Sequence, residues 1–212
     1  MSDAPLITTY NEQPLHAALK AWYAEPGDGL EVPVDGYVID VVKDSLLVEI
    51  QTGNFSAIKA KLRDLTETHR VLLVYPLPRE KWLVKRWEPD DPDGKVERRK
   101  SPKRGDASEL FEELVSFPDL LARPNFAVEI VWTQEEELRH HDKRRGWRRH
   151  GWVIDERRLL DVVERQRFEE PGDFASLLPD TLADGFTTKD LSRVMSRGRR
   201  FGRQMAYCLR KM

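Results

Sequence analysis

The chain holds one cysteine in 212 residues, Cys208, which excludes an internal disulfide framework and any thiolate zinc cluster. No apolar run approaches the roughly 18 residues that span a bilayer. Residues 1–10 lack a basic start followed by an apolar stretch, so no secretory signal is expected. Neither a GxxxxGK(S/T) loop nor a GxGxxG turn occurs, which leaves nucleotide-driven mechanisms without support. Repeats and low-complexity tracts are missing too. These absences predict a soluble, cytoplasmic protein that does not engage a membrane.

What is present is charge, at 34% of residues, beside 40% hydrophobic side chains, enough for a core without staples. The net charge of −2 conceals a segregation. Residues 1–80 carry 7 basic and 12 acidic side chains, and residues 81–104 carry 9 and 5. Residues 139–150 carry 6 basic side chains against Asp142 alone, and from Arg193 to Met212 there are 7 and none. One-sign blocks of this kind are the footprint of a phosphate-backbone binder, although any single block also reads as a solvated face. The candidate contacts are Arg144, Arg145, Arg148 and Arg149, with Trp147 among them to stack on a base, and Arg197, Arg199, Arg200 and Arg203.

Apolar spacing predicts a helix over 11–24 and strands over 30–34, 37–42 and 46–51, the first two joined by the tight-turn pair Asp35-Gly36. A helix follows in which Phe55, Ile58, Leu62 and Leu65 share a stripe, and then an almost wholly apolar strand over 71–75. Beyond Pro78 a basic, β-rich stretch is expected, with strands over 82–87, 95–99 and 126–133 and a basic hairpin tip over 139–151. Residues 158–168 fit both periods. The end reads as a short helix (189–195), a turn and an Arg-rich helix (200–212), the spacing of a helix-turn-helix, or of a helical hairpin docked through Phe201, Met205, Cys208 and Leu209. The organisation expected is therefore 1–80, 81–168 and 169–212.

The chemistry concentrates in the first unit. Asp40 and Glu49 each sit inside an apolar strand, where a carboxylate is costly to bury unless it is paired or bound to a cation. The two strands should form a hairpin, which brings both acids within reach of one ion. Two carboxylates with a strand carbonyl are the oxygen ligands that Mg²⁺ prefers. His140, His141, Asp142 and His150 carry less, because neighbouring side chains on a strand point to opposite faces.

The element order, Asp40 and the triplet Glu49-Ile50-Gln51 together resemble the PD-(D/E)XK nuclease superfamily, to which restriction endonucleases and archaeal Holliday-junction resolvases belong. The resemblance covers residues 11–77. It implies an α/β, restriction-endonuclease-like core (αβββαβ), followed here by the basic β-rich region and the helical module. It also implies that Asp40, Glu49 and the Ile50 carbonyl hold Mg²⁺ or Mn²⁺, that an acid on the first helix, Glu12 (or Glu25), completes the site, and that DNA, duplex or branched, is the substrate. The third triplet position, usually lysine, is Gln51, and Lys59 on the following helix is the candidate substitute cation, or else an ordinary solvated helix lysine. A homodimer is compatible with cutting two strands. The alternatives are a DNA-binding protein whose nuclease core has lost catalysis and an adaptor whose basic faces meet an acidic partner.

Overall fold

The computed structural model describes residues 13–87, 94–145 and 150–212. Helix α1 (Pro14–Tyr23) opens on Pro14, at a position where the missing N–H would have had no helical partner. Strands β1 (Gly29–Val34), β2 (Tyr37–Lys43) and β3 (Leu46–Ile50) follow as an antiparallel meander. Asp35 and Gly36 both take positive φ, 48° and 82°, while Val34 pairs with Tyr37 across them. That is the two-residue turn whose twist matches the strands it joins.

The chain then passes through Asn54 (φ 55°) into a 3₁₀ turn, Phe55–Ile58, that runs straight into α2 (Lys59–Leu65). Strand β4 (Arg70–Arg86) lies parallel to β3 with its first residues and antiparallel to β5 (Val96–Lys100) with its last. Its other edge is lined by β6 (Phe126–His141), parallel to it, and β7 (Trp152–Phe168) closes that side antiparallel to β6. The result is one mixed seven-stranded sheet in the order β1-β2-β3-β4-β6-β7, with β5 beside the outer half of β4.

Two local readings change. The segments 71–75 and 82–87, expected as separate strands with Pro78 between them, are one strand that continues across residue 80. The prolines fit because β4 is an edge there on one side, between the end of β3 and the start of β5. Gln51 N–H donates to the Val74 carbonyl, and the next rung would need an N–H from residue 76. Pro76 has none, so β3 stops, and the Pro78 carbonyl instead accepts from Gly105 before β5 begins. Residues 158–168, ambiguous by period, belong to β7.

Helices cover both faces. Leu15, Leu19 and Tyr23 of α1 pack on Val41, Val48, Ile50, Leu72 and Val74. The opposite, larger core joins Phe55, Leu62 and Leu65 to Leu47, Leu73 and Phe126, and to α3 (Leu110–Leu114) and the 3₁₀ turn Pro118–Ala122. Each such fully buried side chain contributes about 1.5–3 kcal/mol. After α4 (Pro171–Ala175), α5 (Thr188–Val194) and α6 (Arg199–Lys211) stand where the sequence places them. The capping box between Thr187 and Asp190 starts α5. Phe201, Met205 and Cys208 are buried in the larger core, as docking requires. At Gly202 a Cβ would fall 2.6 Å from the Thr188 carbonyl and 2.2 Å from Ser192 Oγ, so the two helices cross at a point only glycine allows. Among the described residues no helix is long and apolar enough to cross a membrane.

Candidate active site

Asp40 and Glu49 meet where the hairpin opens. The β2–β3 ladder pairs Lys43 with Leu46, Val42 with Leu47 and Val41 with Val48. The next backbone N–H of β3 on that side, from Ile50, donates to Asp40 Oδ2 at 2.7 Å. The side chain has thus replaced a strand partner. Across β2 the β1 ladder pairs Leu30 with Val41 and Val32 with Ile39, and Glu31 between them adopts φ 51°. Residues 39 and 41 would share a face of a regular strand, yet Ile39 lies in the α2-side core and Val41 in the α1-side core. The strand rotates at Asp40, which is why its carboxylate comes to lie beside β3.

Two side chains that the sequence reading missed complete the cluster. His16 Nε2 of α1 stands 3.2 Å from Asp40 Oδ2. Lys61 Nζ of α2 stands 2.6 Å from Glu49 Oε2 and donates to the Val38 carbonyl. The Lys61 contact is an ion pair by distance only. Its angles leave Oε2 buried without a directed hydrogen bond. Lys59, the expected cation, opens α2 and makes no ion pair among the described residues. Gln51 turns its amide Nε2 onto the Gly53 and Asn54 carbonyls and so braces the loop that leads to Lys61.

The environment drives the two acids apart. Burial would raise the Asp40 carboxyl, but His16, the Ile50 N–H and the Lys61 charge outweigh it and hold the group below its ordinary range. Burial and the Asp40 charge push Glu49 up to about 7 in spite of Lys61. Asp40 Oδ2 takes both of its donors, and among the described residues Oδ1 takes none. The Ile50 carbonyl leaves β3 on the same side as the Ile50 N–H, toward β2. Asp40 Oδ1, the Glu49 carboxyl and this carbonyl are hard oxygens, the kind of atom that Mg²⁺ or Mn²⁺ takes as ligand. Among the described residues no three His, Cys, Asp or Glu side chains converge into a site by themselves. Glu12 lies outside the described residues, and Glu25 pairs with Lys43, away from the cluster.

The basic residues fall in two places. Arg144 and Arg145 are exposed at the β6–β7 tip, their backbone N–H groups capped by Asp142 Oδ1. Glu49 is level with Leu73 and Val128 across the sheet, and His141 is thirteen residues further along β6. The tip is thus ~40 Å away at about 3.3 Å per residue. Trp147, Arg148 and Arg149 lie outside the described residues. On α6, Arg199, Arg200 and Arg203 are exposed. Arg197 is engaged, pairing with Glu112 at 2.6 Å and lying over the Phe201 ring. His140 bonds Asp155 and His141 packs on Trp152.

The model of a family described as "Domain of unknown function (DUF8091)" matches residues 13–169, a span that contains all four clustered side chains and the whole sheet. A protein of Treponema pallidum (strain Nichols), described as an "Uncharacterized protein", is 32% identical over 189 residues, covering 88% of this chain and 74% of its own length. No solved structure matches.

Proposed function

This chain belongs to the DUF8091 family, and for it we propose metal-dependent hydrolysis of DNA phosphodiester bonds. The observation that carries the reading is the meeting of Asp40 and Glu49 at the opening of the β2–β3 hairpin, with Lys61 2.6 Å from Glu49. The order α1, β1–β3, α2 and a parallel β4, with helices on both faces, supports the PD-(D/E)XK likeness.

Asp40, Glu49 and the Ile50 carbonyl would hold the ion. A bound Mg²⁺ or Mn²⁺ lowers the pKa of a coordinated water and neutralises charge on the phosphate. His16 fixes Asp40 through Oδ2 and leaves Oδ1 for the ion. Lys61 takes over the cationic role that Gln51 cannot fill, while Gln51 positions the loop between β3 and α2. Arg199, Arg200 and Arg203, with Arg144 and Arg145 at the tip, are the backbone contacts.

Plasmid nicking with Mg²⁺ or Mn²⁺ tests this, comparing the wild type with Asp40→Ala and Glu49→Ala. Metal-dependent nicking lost in both variants is the expected result, and nicking that survives both overturns the assignment of the site. The second reading, a DNA-binding protein without catalysis, is favoured by one observation, that Gln51 spends its amide on the chain itself. Steeply salt-dependent DNA binding without nicking would select it.

A further inference from the structure

A second recess lies on the α1 face of the sheet, toward the starts of β3 and β4. It is a cavity of about 400 Å³ whose walls include Trp22, Tyr23, Lys43, Leu46, Arg165 and Arg167. A smaller cavity of about 110 Å³ shares Leu46, Leu72 and Arg167 with it and adds Arg70. The floor is apolar: Val48 and Leu72 belong to the α1-side core. One wall is an aromatic face, since Trp22 is 44% exposed although it sits beside a hydrophobic core.

The charges around this recess are unevenly satisfied. Lys43 is paired with Glu25 and Asp28, and Arg167 with Glu129 and Glu169. Arg165 pairs with no carboxylate among the described residues, and its guanidinium lies 5.5 Å from the centre of the Trp22 ring. Arg70 is exposed and lines the smaller cavity, not this one. An indole face, a guanidinium without a carboxylate partner and a volume of this size are complementary to a flat aromatic ring that carries a phosphate.

We propose that this recess binds a nucleoside monophosphate, with the base on Trp22 and the phosphate held by Arg165. It does not depend on the nuclease reading, because none of its residues belongs to the Asp40–Glu49 cluster. Arg165 already occupies the ring face in the way a base would, so binding shifts it from the indole to the phosphate.

The test is calorimetric titration of the full chain with dAMP in EDTA, beside adenosine and inorganic phosphate. Saturable dAMP binding is expected, at least tenfold tighter than either fragment, since each supplies half of the contacts. Arg165→Glu, a surface change that leaves the fold intact, should weaken it tenfold or more, and Asp40→Ala should leave it unchanged. A short single-stranded deoxyoligonucleotide that competes with dAMP identifies the bound unit as part of a strand. Failure to compete identifies it as a free nucleotide. Absence of saturable binding, or equal binding by Arg165→Glu and wild type, overturns the proposal. Loss of binding in Asp40→Ala would place the nucleotide in the other site and overturn it as well.

Discussion

Replacing Glu49 with glutamine should stabilise the protein. Glu49 is 6% exposed, it shares its site with a second carboxylate, and its pKa rises from an ordinary 4.5 to about 7. Between those values the folded chain keeps a proton that the unfolded chain has released, so stability falls as pH rises through this window and stays lower above it. At 1.36 kcal/mol per tenfold difference in proton affinity, the deficit is about 3 kcal/mol at pH 8. Glutamine keeps the shape and cannot ionise. Glu49→Gln should therefore match the wild type near pH 4 and exceed it at pH 8 by about 3 kcal/mol, roughly 6–12 °C in Tm for a chain of this size. Urea unfolding at both pH values measures it. Mg²⁺, which needs the ionised acid, should raise the Tm of the wild type and leave that of the variant where it was. A variant less stable than wild type at pH 8 would refute the reasoning, because Lys61 would then outweigh burial and Asp40 together.

Further outcomes follow from other contacts. Lys61→Met should abolish nicking, and Gln51→Lys in the same chain should restore part of it, as assayed on supercoiled plasmid; no restoration would mean that the two positions do not serve one charge. Gly202→Val should cost about 1–3 kcal/mol in urea unfolding, the usual penalty of overpacking, because its side chain meets the Thr188 carbonyl. Burial pushes the Cys208 thiol up to about 12, so at pH 8 its reaction with Ellman's reagent should be ~10³-fold slower in the native than in the unfolded protein; equal rates would place the thiol at the surface.

Much of the site is legible in the sequence because a hairpin is a local object. Asp35-Gly36 fixes one turn, apolar alternation fixes the strands, and the two embedded acids must then lie near each other. The rotation of β2 at Asp40 is not legible, and neither is the positive φ of Glu31 opposite it, a residue without a turn signature. Lys59 and Lys61 are inverted for a similar reason. The 3₁₀ turn over Phe55–Ile58 advances three residues per turn rather than 3.6 and resets the phase of α2 relative to one continuous helix. His16 left a trace, because His16, Lys20 and Tyr23 form a polar row at i, i+4 and i+7 within an apolar helix. All three reach sheet side chains, Asp40, Glu31 and Glu129. Pro76 and Pro78 hid the length of β4, since only the arrangement of β3 and β5 along its edge makes room for them.

The parallel pairing of β4 with β6 has a kinetic consequence. Asp40 and Glu49 are nine residues apart, but Val71 must find Phe126, fifty-five residues away, before the sheet that encloses them exists. Local hairpins close early and distant parallel pairs late, so the two acids meet while both are still hydrated. Their mutual repulsion is then felt mainly after the rate-limiting step. The stabilisation gained by Glu49→Gln should accordingly appear as slower unfolding, with the refolding rate almost unchanged.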